Sequence, residues 1–226
     1  MEIETKEPQN QGPYQEFLEL GAEKFGPWAS YDWRRNPRGF LFKLARYKFV
    51  ARMFSGSSRV LEGGCGDCMG IPLLLSEVGS VHAIDYEPIV INEARERYAA
   101  HKHLNCTFEV LDLRITAPRG TFDAAFSLDA IEHVPFEKEA DFLGNICEPL
   151  TDRGMLIIGT PNKHAEKYGS ELSRAGHINL KSAETLKQSL QPFFHNVFSF
   201  GMNDEVLHTG FSPMAHYLFA MGVGRR

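Results

Sequence analysis

Four carboxylates close four short apolar runs along the middle of the chain: Glu62 in "VLEGG", Asp85 in "VHAID", Asp112 in "FEVLDL" and Asp129 in "FSLD". A carboxylate so placed accepts hydrogen bonds from the hydroxyl, amino or N–H groups of a polar ligand. The first run opens onto "GGCGDCMG", a loop that turns on Gly63, Gly64 and Gly66 and lets a ligand approach the backbone closely. The loop has no Gly-Lys-Ser/Thr, so it does not cradle a triphosphate. Met69 stands where the pattern G-x-G-x-x-G needs its third glycine, so a pyrophosphate site is not indicated either. Asp85 follows about twenty residues later, at the position from which a carboxylate holds a ribose diol. Cys65 and Cys68 offer a rival chemistry. A C-x-x-C at a helix N-terminus has a lowered thiol pKa and serves disulfide oxidoreductases. Such a dithiol has no use for carboxylates after the second and third apolar runs. A zinc site would need two further ligands, and Cys106 and Cys147 stand alone, so no metal site is expected.

These residues need elements to hold them. "RVLEGG" reads as a first strand, and "IPLLLSEVG" as a helix starting near Cys68 or Met69 and ending at Gly79. "SVHAID" and "PIVINEARERYAA" form a second strand and helix, and "LNCTFEVLDL" and "TFDAAFSLD" a third and fourth strand. A helix around Glu137–Leu150, the strand "RGMLIIGTP", and a helix "AETLKQSL" capped by Ser182 come next, with "FFHNVFSF" and "MAHYLFAMGV" as closing strands. Before all of this, "GFLFKLARYKFVARMF" predicts an amphipathic helix carrying Lys43, Arg46, Lys48 and Arg52. Residues 1–38 are read as an N-terminal arm and 39–226 as the domain. Strand–helix alternation with apolar strands means a parallel sheet covered on both faces, with ligands at the carboxyl ends of its strands.

The bulk numbers agree. A chain of 226 residues with 43% hydrophobic and 23% charged residues suits one large globular domain. Its formal net charge of −5 weighs against nucleic acid as a partner. No apolar run is long enough for a membrane span, and the polar, acidic N-terminus has no signal-peptide pattern. Cysteine usage suggests a reducing compartment, and the cytoplasm is expected.

Taken together, Glu62-x-Gly64-x-Gly66, Asp85, Asp112-Leu113 and "FDAAFSLDAIEHV" resemble the class I S-adenosylmethionine-dependent methyltransferases, from about Phe40 to Leu190. "LDAIEHV", "GTPN" and "GHINLKSAETL" are most similar to the ubiquinone-biosynthesis-like small-molecule O-methyltransferases and their relatives in surface-glycan gene clusters. The resemblance implies a Rossmann-like, seven-stranded, mostly parallel sheet with its last strand antiparallel, helices on both faces, and an N-terminal helical lid. It implies S-adenosylmethionine as cofactor. Glu62 would belong to the cofactor loop, and Gly64 and Gly66 would approach the methionine part. Asp85 would hold the ribose, with Tyr86 beside the adenine. Asp112 would accept from the adenine amino group, with Leu113 stacking nearby. Leu128 and Asp129 would face the sulfonium, and Arg46 would pair with the cofactor carboxylate. Many relatives carry Gly where this chain has Cys68.

A hydroxyl acceptor must lose its proton as it attacks, and histidine is the usual base near neutral pH. Of nine histidines, His177 in "AGHINL" is the first candidate and His133 in "IEHV" the second, with Asp129 behind them. The partner expected is a small-molecule acceptor, without nucleic acid or stable membrane insertion. An Asn-Pro-Pro-Tyr type motif, which would indicate exocyclic or amide nitrogen methylation, is absent, and "SLDAIE" stands in its place. N-methylation of a small molecule, a non-catalytic cofactor-binding role and the C-x-x-C oxidoreductase stay as alternatives. Tyr14, Phe17, Phe25, Trp28, Tyr31 and Trp33 either pack the arm onto the domain or form a lid.

Overall fold

The computed structural model describes residues 4–226, so the first three residues of the arm lie outside the described residues. The arm holds a 3-10 turn, Pro8–Asn10, and two helices, α1 (Gln11–Leu20) and α2 (Pro27–Arg35). Helix α3 (Pro37–Met53) follows, two residues ahead of the boundary expected at 39. Proline opens both α2 and α3, where its missing N–H is no loss, and Asn36 caps α3 by accepting from Gly39 N–H at 3.1 Å. Phe25, Trp33 and Phe40 pack ring to ring, with centroids 5.0 to 6.4 Å apart, and tie α2 to α3.

The alternating part runs β1 (Val60–Gly63), α4 (Ile71–Leu75), β2 (Val81–Asp85), α5 (Pro88–Tyr98), β3 (Cys106–Val110), β4 (Phe122–Leu128), α6 (Glu139–Cys147), β5 (Leu150–Pro161), α7 (Glu171–Gly176) and α8 (Ala183–Leu190). It ends with β6 (Phe194–Asn203), β7 (Val206–His208) and β8 (Tyr217–Arg225). The strand order is β3-β2-β1-β4-β5-β8-β6-β7. Strands β1 to β5 pair in parallel, and β8 lies antiparallel between β5 and β6. The sheet therefore has eight strands where seven are expected. The extra one, β7, is three residues folded back on β6 through Asp204 at φ +52, too short to leave a periodic signal.

Two apolar layers flank the sheet. One gathers Phe54, Ile91, Phe126 and Phe219 under α3, α4 and α5; the other gathers Leu61, Phe122, Leu143, Leu156 and Leu186 under α6 and α8. Each such buried side chain contributes about 1.5–3 kcal/mol. Local departures from expectation have local causes. Helix α4 starts at Ile71, later than Cys68 or Met69, because Cys68 sits at φ +59, outside helical space. Gly79 does not need a left-handed turn. It needs room, since a Cβ there would lie 2.7 Å from Ser58 O. Helix α6 starts at Glu139 because Phe136–Lys138 forms a 3-10 turn first, and it stops at Cys147 as β5 takes over from Leu150. Ser182 does cap α8, in a capping box with Thr185.

Candidate active site

Strands β1 and β4 lie side by side, and their carboxyl ends open into a cleft where such sheets bind ligands. The glycine loop after β1 forms the cleft floor. Gly64 and Gly66 take φ +69 and +53, and a Cβ on Gly64 would meet Ala130 at 2.7 Å. Asp85 braces this loop. Its Oδ2 accepts from Gly66 N–H and its Oδ1 from Glu87 N–H, both at 2.9 Å. Burial pushes its carboxyl above the usual range even so, which marks a site that favours further donors.

A trough of about 350 Å³ runs over this floor, bordered by Gly64, Gly66, Asp85, Tyr86, Asp112 and Leu113, together with Trp28 from the arm. Six of the nine expected cofactor residues thus line one cavity. The Asp112 carboxylate is held below its usual range by hydrogen bonds from Arg114, whose guanidinium also lies 4.8 Å from the Tyr86 ring. Leu128 and Arg46 line an adjoining chamber of about 430 Å³ that shares Trp28, Gly64, Gly66, Asp129 and His133 with the trough. Glu62 borders neither. Its side chain is buried beneath the loop, where Oε1 accepts from Tyr47 OH at 2.7 Å, and burial pushes its carboxyl up to about 8. Its placement among the cofactor contacts is therefore not supported by geometry: the side chain turns toward α3, away from the cleft.

Asp129, at φ +54, ends β4 with a left-handed turn that aims its carboxylate at Arg46. Arg46 Nη1 donates to both Asp129 oxygens, at 2.9 and 2.8 Å, and its guanidinium lies 3.8 Å from the Tyr217 ring centroid. Asp129 is thus engaged by a cation, which leaves the histidines as the freer bases. Three buried atoms around this pair have no partner among the described residues: Arg46 Nε, Glu132 Oε1 and Tyr217 OH.

His133 and His177 meet ring to ring, with centroids 5.1 Å apart. His133 Nδ1 lies 2.9 Å from Gly176 O. A carbonyl only accepts, so Nδ1 carries the hydrogen and the neutral ring keeps its lone pair on Nε2. Burial, then the neighbouring His133, holds His177 below the ordinary histidine pKa. His177 also borders a third cavity, about 370 Å³, with Pro161, Glu166, Tyr168, Arg174 and Asp204. His177, Pro161 and Ser173 are common to this outer cavity and the chamber. Ligand atoms of Glu132, His133 and His177 come within 4.8 Å of one another, a spacing that suits a divalent cation although no metal site is expected from sequence. Glu132 stood next to His133 in "DAIEHV", and that adjacency was the signal available for it.

Cys65 and Cys68 are buried with sulfurs 3.3 Å apart. Burial drives the Cys65 thiol well above its ordinary pKa, and the Cys68 thiol is raised too, although the hydrogen bond with Cys65 opposes the rise. An oxidoreductase needs the opposite shift. The other half of the loop's sequence serves the arm. Asp67 Oδ2 accepts from Ala29 N–H at 2.7 Å, at the start of α2, and a Cβ on Gly26 would strike Asp67 Cβ at 2.4 Å. That contact sets Trp28 over Gly66, at the edge of the cleft.

Residues 60–154 match the family model described as a methyltransferase domain. The chain thus carries a methyltransferase domain, and the relatives it resembles are S-adenosylmethionine-dependent methyltransferases. A probable S-adenosylmethionine-dependent methyltransferase of Mycobacterium tuberculosis is 29% identical over 46% of this chain and 36% of its own length. The mitochondrial ubiquinone biosynthesis O-methyltransferase of Schizosaccharomyces pombe is 25% identical over 58% of this chain and 50% of its own. The chain thus spans about a third to a half of these curated relatives. In fold, the chain superposes on the N-methyltransferase NodS of Bradyrhizobium japonicum, solved with S-adenosyl-L-homocysteine, with a TM-score of 0.60 at 18% identity, covering 93% of this chain and 97% of that one. Methyltransferases of this kind take S-adenosylmethionine as cofactor. No helix among the described residues is long and apolar enough to cross a membrane.

Proposed function

We propose that this methyltransferase transfers the methyl group of S-adenosylmethionine to a hydroxyl oxygen of a small polar acceptor. The observation that supports this most is the position of His177, the one candidate base shared by the chamber next to the cofactor trough and the outer cavity. His133 borders the trough and the chamber instead, on the cofactor side.

When bound, the cofactor supplies a methyl group already activated on a sulfonium. The chain must hold it in line with the acceptor, exclude water and take one proton. Asp85 would receive the ribose hydroxyls, Asp112 would accept from the adenine amino group, and Tyr86 and Leu113 would border the base. Arg46, on the wall of the chamber, would pair with the methionine carboxylate. Asp129 stands at the junction of trough and chamber, with Leu128 beside it on the chamber wall. His177, kept neutral by burial, takes the acceptor proton as the new bond forms. A cation on Glu132, His133 and His177 is a second reading, favoured by the unpartnered, buried Glu132 Oε1, and it would acidify the acceptor hydroxyl in place of the base. The cysteines, with no disulfide framework in their spacing, support a cytoplasmic setting.

The purified chain should bind S-adenosyl-L-homocysteine in calorimetry, and Asp85→Ala should weaken binding by about 1–3 kcal/mol. An unchanged affinity in the variant would remove Asp85 from the cofactor site. No binding at all would remove the site.

A further inference from the structure

We infer that Glu139 is a positioning residue, which sets the geometry of the two histidines from behind the acceptor loop. The inference rests on the reading of His177 as the base. The loop from Asn162 to Ser182 carries His177 between β5 and α8, and apart from α7 and a 3-10 turn it has no regular structure to hold it. Two junctions fix it. At the first, Ile178 and Asn179 N–H both donate to Glu132 O, at 2.9 and 3.0 Å. His177 is the neighbour of Ile178, and His133 the neighbour of Glu132, so both rings hang from this one carbonyl. At the second, Glu139 Oε2 accepts from Asn179 Nδ2 at 2.7 Å and from Lys181 Nζ, and Oε1 accepts from Ser189 Oγ at 2.5 Å.

Asn179 belongs to both junctions, with its backbone on Glu132 and its side chain on Glu139. Glu139, Asn179 and Lys181 are 7%, 8% and 4% exposed, so the donors have no water to turn to. Burial opposes a charged Glu139, but the bonds from Lys181, Ser189 and Asn179 outweigh it and hold the carboxyl below its usual range. The start of α6 also favours negative charge there. Lys181 carries the restraint onward: its carbonyl accepts from Lys163 N–H at 2.8 Å, and it bridges to Asn162 at the end of β5. One carboxylate thus ties helix α6, helix α8 and the strand end to the segment that presents His177.

A merely structural Glu139 would affect stability alone. Two double variants separate the roles. Glu139→Gln/Lys181→Met and Glu139→Leu/Lys181→Met both remove the buried ion pair, but only the first leaves an oxygen for Asn179. The readout is histidine NMR of the full chain, with rings labelled at Cε1, following the contact between the His133 and His177 rings. The charged groups facing His177, among them Glu132, Asp129 and Glu166, are not altered. The Gln variant should keep the ring–ring contact of the wild type. The Leu variant should lose it. An unchanged contact in both would overturn the inference. Should the Leu variant fail to fold, Asn179→Ala, which keeps the ion pair, should give the same loss, and a wild-type spectrum there would overturn it equally. S-adenosyl-L-homocysteine binding by the wild type reports on the methyltransferase reading alone, so the two can fail separately.

Discussion

His133 and His177 share a side chain and differ in what fixes it. His133 has Nδ1 tied to a backbone carbonyl, while His177 is half-buried and held by its loop. General-base removal of a proton is worth about 10²–10⁴-fold. His177→Ala should lower turnover by that factor once an acceptor is in hand, with affinity for S-adenosyl-L-homocysteine nearly unchanged. In the wild type, kcat/KM should rise with pH as His177 loses its proton, with a midpoint below about 6.5 because its folded pKa is lowered. That limb should vanish in the variant. Near-normal turnover in His177→Ala would pass the role to His133, and loss of turnover only after chelation would favour the cation. At this scale the sequence revealed residue types but not directions. Asp85, Asp112 and the glycines stood where their spacing put them. Glu62 did not, because all four residues of β1 are buried and no alternation marks which face its side chain takes.

The elements show what a linear reading misses: contacts between distant segments. Strand ends, their order and the capped α8 were legible because apolar runs and capping residues are local signals. The link between arm and loop was not, since nothing near Asp67 announces Ala29, 38 residues away. The C-x-x-C looked like redox chemistry for the same reason. Cys68 takes φ +59, so it is a loop residue under backbone strain of about 1–2 kcal/mol. Asp67 between the cysteines anchors the arm. Gly26→Ala should therefore release α2, since its Cβ cannot share space with Asp67. Limited proteolysis should cut the arm faster than in the wild type, and S-adenosyl-L-homocysteine should bind more weakly as Trp28 leaves the cleft. Equal cleavage rates would show that α2 is not held there.

The whole molecule keeps a buried carboxyl at the centre of its sheet. Glu62 has a folded pKa of about 8, against about 4.3 for an unfolded chain. Between those values the folded state keeps a proton that the unfolded state has released. Its contribution to stability is therefore complete below the unfolded value and is lost as pH rises through the folded one. Thermal unfolding of the ligand-free protein should show a midpoint that falls from pH 5 to 8. Glu62→Gln should flatten that fall. It should not abolish it, because burial raises Asp67 and Asp85 in the same direction. A slope identical to wild type would mean that Glu62 is ionised in the folded protein.

The three cavities form a series. The trough and the outer cavity share no lining residue, and only the chamber touches both. If cofactor and acceptor occupy the trough and the outer cavity, as proposed, they would sit against separate walls, and release of one would not require release of the other. Such a plan would favour an order of binding in which neither substrate has to wait for the other.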